Sequence, residues 1–362
     1  SYAVGTKYQN NNWTLDLSNT FGSNVFNYDV SNTNNASMGA QSPTEFNAGS
    51  HGFLQNTFNI DASKKINNFN IAFGGEWRFE QYQIKSGEEA SYKNYGLVSG
   101  AAGGAQSFIG FSNDNALKKS RNSEAIYADV SYDLEKFNVD AAARFENYSD
   151  FGSALTGKLA LRYELFNNFS LRGAVGTGFR APSLQQQYFN NSYSDISTSG
   201  SGIVNKGIFT NDSAIAQEIG FDKLKEEKSV NASAGFTFKP VDKLFITLDG
   251  YLIKVKDRIV ITSQFSDPSF AAYDVESARF FANAVDTETK GVDLVVSYDW
   301  ALGGGNLNIN LAGNYTETKI TKFNFPEKVL ANHTQDEFFG PDQINIIETL
   351  SPKTKASLGL NY

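Results

Sequence analysis

The sequence predicts an all-β protein, specifically an antiparallel transmembrane β-barrel segment of about thirteen strands. Three observations predict it. Apolar and polar residues alternate with a period of two, short turns alternate with long polar connections, and aromatic residues gather beside the short turns. The 362 residues include 30 Phe, 17 Tyr and 3 Trp, yet mean hydropathy is only −0.37. Strands that face lipid on one side and water on the other give that combination, whereas a membrane helix needs about 18–20 consecutive apolar residues and none occur.

The strands can be read in order. Phe69, Ile71, Phe73, Gly75, Trp77 and Phe79 oppose Asn70, Glu76, Arg78 and Glu80. Ile126, Ala128, Val130, Tyr132 and Leu134 oppose Asp129, Ser131 and Asp133, and Val139, Ala141, Ala143 and Phe145 oppose Asp140, Arg144 and Glu146. Leu155, Gly157, Leu159, Leu161, Tyr163 and Leu165 share a face opposite Lys158, Arg162 and Glu164. Late in the chain Val292, Leu294, Val296, Tyr298 and Trp300, and then Leu307, Ile309, Leu311 and Gly313, repeat the pattern. A helix would place its apolar residues three and four apart instead.

Turn chemistry marks Asn10 to Asn12, Glu135–Lys136, Asn167–Asn168, Pro240 to Lys243 and Gly303 to Gly305 as short connections. Between them the sequence predicts long polar connections over 22–52, 86–122, 179–227, 259–285 and 321–351, with Ser149 to Ser153 as the one short member of that set. Such alternation is the rule for an outer-membrane barrel, with tight periplasmic turns at one rim and large extracellular loops at the other. Phe137, Phe166, Phe169, Phe238, Tyr298 and Trp300 sit where an interfacial girdle belongs. Charge on the face opposite the apolar one suits a wide, hydrated barrel better than a small packed one.

Other chemistries find little support. The chain carries 31 Lys and Arg against 39 Asp and Glu, a net charge of −8, which argues against nucleic acid. It has no Cys, so no disulfide framework, thiolate metal site or cysteine nucleophile is possible. Gly176-Thr177-Gly178-Phe179-Arg180-Ala181 matches a dinucleotide pattern, but Pro182 and the polar run Gln185 to Asn191 follow it instead of an apolar helical stripe. Asp150-Phe151-Gly152 reads as a turn. The two histidines, His51 and His333, lack paired spacing; a lone His with carboxylates, for example His333 with Asp336 and Glu337, is a weak metal candidate beside the commoner reading as polar loop residues. Asn113, Asp114 and Asn115 lack the ligand spacing of a calcium loop, and Ile215 to Lys225 has room for one short loop-packing helix. No catalytic residue, cofactor or metal site is expected, so the chain is not read as an enzyme.

Leu171-Arg172-Gly173-Ala174-Val175-Gly176-Thr177-Gly178-Phe179-Arg180-Ala181-Pro182-Ser183-Leu184 resembles the barrel segment of TonB-dependent outer-membrane receptors, whose T-G-F-R-A-P-S motif ends a strand before a large extracellular loop. Leu224-Lys225-Glu226-Glu227-Lys228-Ser229 resembles the L-K-P-E-x-S motif of that family, with Glu226 in place of Pro. Gly250-Tyr251 through Lys256-Asp257-Arg258-Ile259, then Asn283 and Lys290-Gly291-Val292-Asp293, and finally Ser351-Pro352-Lys353, follow in the family's order. Gly178, Phe179, Arg180, Pro182, Glu227, Ser229 and Gly291 are the motif residues, and a structural role is expected for them, with Gly178, Arg180 and Pro182 shaping the exit from strand to loop.

The resemblance implies a barrel of about 22 strands around an N-terminal plug, with a short TonB-binding segment. Neither plug nor segment is seen in residues 1–362, nor is a signal peptide, so an internal piece of a receptor is expected. It implies a Gram-negative outer-membrane location, and as partners outer-membrane lipid, the missing plug and strands, TonB through the missing N-terminal segment, and a small nutrient ligand such as an iron-siderophore, cobalamin, haem or oligosaccharide. Tyr188, Phe189 and Tyr193 are the candidate ligand contacts. The alternatives are a passive porin or adhesin barrel, which the ordered motifs oppose, and a soluble β-rich binding module. A partial barrel with open edges is expected to aggregate, swap or oligomerise without detergent.

Overall fold

The computed structural model describes residues 1–106, 108–196, 203–273 and 275–362. Its strands are β1 (Tyr2–Asn10), β2 (Trp13–Ser31), β3 (Glu45–Ile66), β4 (Phe69–Lys85), β5 (Leu117–Leu134), β6 (Phe137–Tyr148), β7 (Gly152–Phe166), β8 (Phe169–Arg180), β9 (Asn191–Ile196), β10 (Ile203–Phe209), β11 (Glu227–Val241), β12 (Leu244–Ile261), β13 (Val275–Leu302), β14 (Gly305–Phe323) and β15 (Thr354–Asn361). Six short helices lie in the connections: α1 (Glu89–Tyr92), α2 (Leu184–Tyr188), α3 (Ala214–Glu218), α4 (Glu327–Asn332), α5 (Gln335–Phe338) and α6 (Pro341–Glu348). No helix among the described residues is long and apolar enough to cross a membrane.

All fifteen strands join one sheet. β1 to β8 and then β11 to β15 form a continuous antiparallel meander, which leaves thirteen strands once the β9–β10 hairpin is set aside. The two-residue turns all lie at one end. Asn11 and Asn12 both take positive φ (44° and 69°) between the paired Asn10 and Trp13, the backbone that a tight hairpin needs and that Asn tolerates. Asn67–Asn68 is a further short turn of the same kind, and Gly303 (φ 60°) turns β13 into β14.

Register places the apolar residues on one face from strand to strand. Ile126 opposes Phe145, which opposes Leu155; Val139 opposes Leu161, which opposes Gly173; Leu248 opposes Leu294; Val296 opposes Leu311, which opposes Leu358. These side chains have nothing over them: Leu155 is 73% exposed and Phe166 61%. Near the turn end aromatic rings stack across the ladder, Phe69 on Tyr132 at 4.4 Å and Phe169 on Phe236 at 5.5 Å between centroids. The opposite face is polar and laced with ion pairs. Glu76 meets Arg78 (2.6 Å) and Arg144 (3.4 Å), Lys158 meets Asp140 (2.6 Å), and Arg172 grips Asp249 with two nitrogens.

The long connections are shorter than the sequence predicts, because the strands outrun the alternating pattern. β2 continues to Ser31 and β3 begins at Glu45, so 22–52 shrinks to 32–44; 86–122, 179–227 and 259–285 shrink to 86–116, 181–226 and 262–274, while 321–351 shifts to 324–353. Beyond the apolar band both faces of a strand meet polar surroundings, so side-chain alternation lapses while the backbone ladder continues. The connection 179–227 also holds the unforeseen β9–β10 hairpin, while residues 197–202 lie outside the described residues. β10 pairs in parallel with β13 from Val275 to Phe280. At that height the other edge of β13 already carries Ile261 and Phe265, so β10 takes the edge that β14 leaves beyond Phe323. The helix expected over Ile215 to Lys225 is real but short, ending at Glu218, with Gly220 at φ 87° behind it.

The packed core sits at the loop end. Ile215, Ala216 and Phe221 around α3, Phe265 and Phe270 from the β12–β13 connection, Val329, Phe338 and Phe339 from α4 and α5, and Phe280, Ala282 and Ala284 of β13 form one buried cluster. A buried Asn35 anchors a second part of this cap, its amide nitrogen donating to the carbonyls of Ala90 (2.8 Å) and Lys93 (2.9 Å).

Candidate functional site

At the loop end of β8, β11, β12 and β13 the motif residues bind one another. Arg180 Nε donates to Glu227 Oε2 at 2.9 Å and its Nη2 donates to the other carboxylate oxygen. Glu227, buried, also accepts from the backbone N–H of Ile259 at 2.7 Å. One carboxylate therefore ties β8, β11 and β12 together, which a neutral or shorter residue would not do. Asn283 completes the clasp. Its amide donates to the carbonyls of Lys225 (2.9 Å) and Asp257 (2.6 Å), and its oxygen accepts the N–H of Lys225 (3.0 Å). Asp257 takes φ 56°, and its N–H finds Asp286 Oδ1 at 2.9 Å.

Arg121, among the most buried charged side chains, holds the exit from β8. It pairs with Glu80 (2.6 Å) and Asp150 (3.3 Å), donates to the Pro182 carbonyl (2.8 Å), and lies over the Tyr148 ring at 5.2 Å. Ser183 then caps α2, its Oγ accepting from the N–H of Gln186 at 3.0 Å. The two motif glycines have steric reasons. A Cβ on Gly178 would meet Ser229 Oγ at 2.8 Å across the ladder, and one on Gly291 would meet the Tyr251 ring at 2.2 Å. Phe179 lies edge-on to Tyr148 at 5.9 Å. The dinucleotide-like glycines thus sit inside a paired strand with no phosphate-binding loop.

Of the candidate ligand contacts, two converge. Phe189 packs edge-on against His51 (6.3 Å) and Phe111 (6.1 Å), and Tyr188 joins the same cluster with Lys119 Nζ over its ring at 5.2 Å. Tyr193 stands apart, on β9 opposite Lys206. Composition carries no sign of the residues opposite. Phe26, His51, Phe53 and Tyr82 lie on the polar face of β2, β3 and β4, and they line a cavity of about 310 Å³ with Asn24, Ser183 and Gln185. Phe26 and His51 fall within 22–52, whose composition predicts a loop; the one local signal is the spacing of His51 and Phe53, two apart and so on one face of a strand.

His51 lies above the apolar band between two phenols, Tyr28 Oη at 3.3 Å from Nε2 and Tyr82 Oη at 3.3 Å from Nδ1. Burial pushes its pKa down, so the ring is neutral at pH 7 and offers one N–H and one lone pair to the two hydroxyls. Burial pushes the Tyr82 phenol up, which keeps it protonated. The pocket is therefore aromatic, uncharged and rich in hydroxyl and imidazole hydrogen-bonding groups.

His333 does not meet Asp336. Its Nε2 is 2.8 Å from Asp267 Oδ2 and its Nδ1 is 3.6 Å from Glu337, which bolts the β12–β13 connection to the β14–β15 connection. Among the described residues no group of three or more His, Cys, Asp or Glu is arranged to hold a metal ion.

A family model described as TonB dependent receptor-like, beta-barrel, matches residues 1–362, the whole of the chain. The chain belongs to that family. The vitamin B12 transporter BtuB of Vibrio cholerae is 23% identical over 190 residues, covering 52% of this chain and 25% of that protein. The ferric enterobactin receptor PfeA of Pseudomonas aeruginosa superimposes with a TM-score of 0.59 at 14% identity, over 87% of this chain and 42% of that one. The siderophore receptor PirA of Acinetobacter baumannii gives 0.57 at 14% identity, over 99% and 55%. The chain thus has the fold of a TonB-dependent receptor barrel and spans about half or less of these relatives. The apolar face is the lipid-facing wall, and the polar face, with the His51 pocket, is the lumen side.

Proposed function

We propose that this chain is part of the barrel of an outer-membrane receptor that captures a scarce nutrient and imports it with energy relayed by TonB. The long connections face the cell exterior and the short turns the periplasm. The observation that carries the reading is the aromatic pocket around His51, on the lumen face at the loop end, in a chain that matches the receptor barrel family throughout. Phe26 and Phe53 give flat apolar surfaces for a chelate, macrocycle or sugar, His51 and Tyr82 give uncharged hydrogen-bonding groups, and Tyr28 and Phe189 pack against the His51 ring. The protein acts by binding and translocation and performs no chemistry on its ligand.

The free edges of β1 and β15 are expected to pair with strands supplied by the rest of the protein, toward a barrel of about 22 strands around a plug. TonB would engage a segment outside this chain. The test uses the full-length receptor in a strain lacking its other uptake routes, fed in turn with ferric siderophores, cobalamin, haem and oligosaccharides. One ligand class is expected to enter only when TonB is present, and the double variant Phe53→Ala/Phe189→Ala is expected to weaken its binding at least about tenfold. Uptake of every solute irrespective of TonB would overturn the reading in favour of a passive pore.

A further inference from the structure

Register sets the lumen-facing residues of the first strands in rows. Phe26 on β2 stands beside His51 on β3, and the row beneath holds Asn24, Phe53 and Tyr82 on β2, β3 and β4. Below these the same face carries Gly22 and Gln55, then Thr20 and Thr57, then Ser18 and Asn59, and β1 adds Ala3 and Gly5 to the last two rows. No charged side chain faces the lumen from Ser18 to Phe26 on β2 or from His51 to Asn59 on β3; charge resumes at Asp16 and Asp61. Beside this strip β4 presents Glu80, Arg78 and Glu76 to the same face. The uncharged strip runs about 27 Å along the strands.

The strip opens at its upper end into the His51 cavity, whose chemistry excludes several ligands. None of the lining residues is acidic or basic apart from His51, and His51 is neutral at pH 7. Arg121, the buried cation at the exit of β8, is already taken by Glu80, Asp150 and the Pro182 carbonyl, and Lys119 lies over the Tyr188 ring. An anionic chelate bound here would lose its hydration with no cation to replace it. At about 310 Å³ the cavity is at the small end of the ~300–1,000 Å³ range of ligand sites, so it receives a ring or two rather than a metal-filled macrocycle. What it offers is amides and aromatic faces. Asn24 and Gln185 are exposed, and their side-chain amides bond to no other described residue. An amide both donates and accepts, as a sugar hydroxyl does. Phe26 is 57% exposed although it faces water rather than lipid, its ring edge-on to His51 at 5.5 Å. A bare ring on the aqueous face suits the apolar C–H face of a pyranose.

We propose that the nutrient is an uncharged oligosaccharide, one ring of which lies on Phe26 with its hydroxyls on Asn24, Gln185, His51 and Tyr82; this rests on the receptor reading above. The next rings lie along Gln55, Thr57, Thr20 and Ser18, whose amide and hydroxyl groups exchange hydrogen bonds with a neutral chain at every row and hold no fixed charge that would trap it.

The experiment titrates the purified full-length receptor in detergent with linear neutral oligosaccharides of glucose, galactose and xylose, and with cobalamin, a ferric trihydroxamate and an anionic ferric triscatecholate, by calorimetry. One sugar series is expected to bind, with an affinity that changes less than about twofold on a tenfold rise in salt. Phe26→Ala is expected to weaken it at least about tenfold and Phe26→Tyr to keep it, a rescue that separates loss of the stacking face from misfolding. Asn24→Ala/Gln185→Ala is expected to weaken it at least about fivefold. Tightest binding of a chelate or of cobalamin, binding of none of the three sugar series, or sugar binding by Phe26→Ala equal to the unaltered receptor would overturn the proposal. Uptake with and without TonB is measured in parallel. TonB-dependent entry of a chelate or cobalamin keeps the receptor reading and sinks the sugar; sugar entry that ignores TonB does the reverse.

Discussion

Leu155 on β7 is 73% exposed and Phe280 on β13 is fully buried, yet both are apolar residues on strands of one sheet. In the wall, apolar side chains point away from the protein and find their partner in lipid; the protein's own contacts there are ladder hydrogen bonds and the ion pairs of the lumen face. In the cap, Phe280 is ringed by Phe209, Phe221, Phe265 and Phe270, as in a water-soluble domain. The wall is therefore organised for a low-dielectric surrounding and the cap for water, and the change occurs along single strands such as β13. What covers a residue, rather than its hydrophobicity, decides how much it stabilises the fold.

The sharpest test removes a ring from the cap. Phe280→Ala should cost about 3–5 kcal/mol of cap stability through the cavity it leaves, read as faster proteolysis of the loops with the barrel still intact in detergent. Leu161→Arg on the wall should cost about 2–4 kcal/mol when the receptor refolds into a bilayer, while leaving loop proteolysis unchanged. If it disturbed the loops instead, the wall and cap would not be the separable regions described here.

Glu227→Gln probes the junction between the two. It removes the charge that Arg180 needs but keeps an acceptor for Ile259, and should cost about 1–3 kcal/mol, seen as earlier loosening of the β8–β11–β12 rim in hydrogen exchange. The cap should also have an acid limit. Burial pushes the Asp267 carboxyl up, but hydrogen bonds from Ser269 and His333 outweigh it and hold the group below its usual range. A depressed folded pKa stabilises above the unfolded value of about 3.9 and loses that stabilisation as pH falls through the folded value. Loop proteolysis should therefore rise below about pH 4, and the rise should flatten in Asp267→Asn. The smallest effect is expected from Leu161→Ala, under about 1 kcal/mol in a bilayer, because lipid fills the space that protein atoms cannot fill at Phe280.

The wall was legible in the sequence because lipid on one side and water on the other force a period of two, residue by residue. The meander has the thirteen strands expected from that period, the short turns fall where Asn and Gly mark them, and the receptor motifs occur in the family's order. The period of two ends where the membrane ends. Above the band, β2, β3 and β12 continue as strands whose composition looks like loop, so the alternation understates their length and carries no sign of the β9–β10 hairpin. The same lapse hid the His51 pocket, whose members come from three strands and from the loop after β8.

The sequence by itself determined the strand faces, the turns and the family, because each rests on neighbours a few residues apart. Only the tertiary structure decided which residues meet across the chain. It showed that Glu227 holds both Arg180 and the amide of Ile259, that His333 meets Asp267 rather than Asp336, and that Phe189 reaches His51 while Tyr193 does not. These pairings depend on strand register and on how long polar loops fold back onto the rim. Neither is written in a local pattern, because loop residues facing water are free to vary without any period at all.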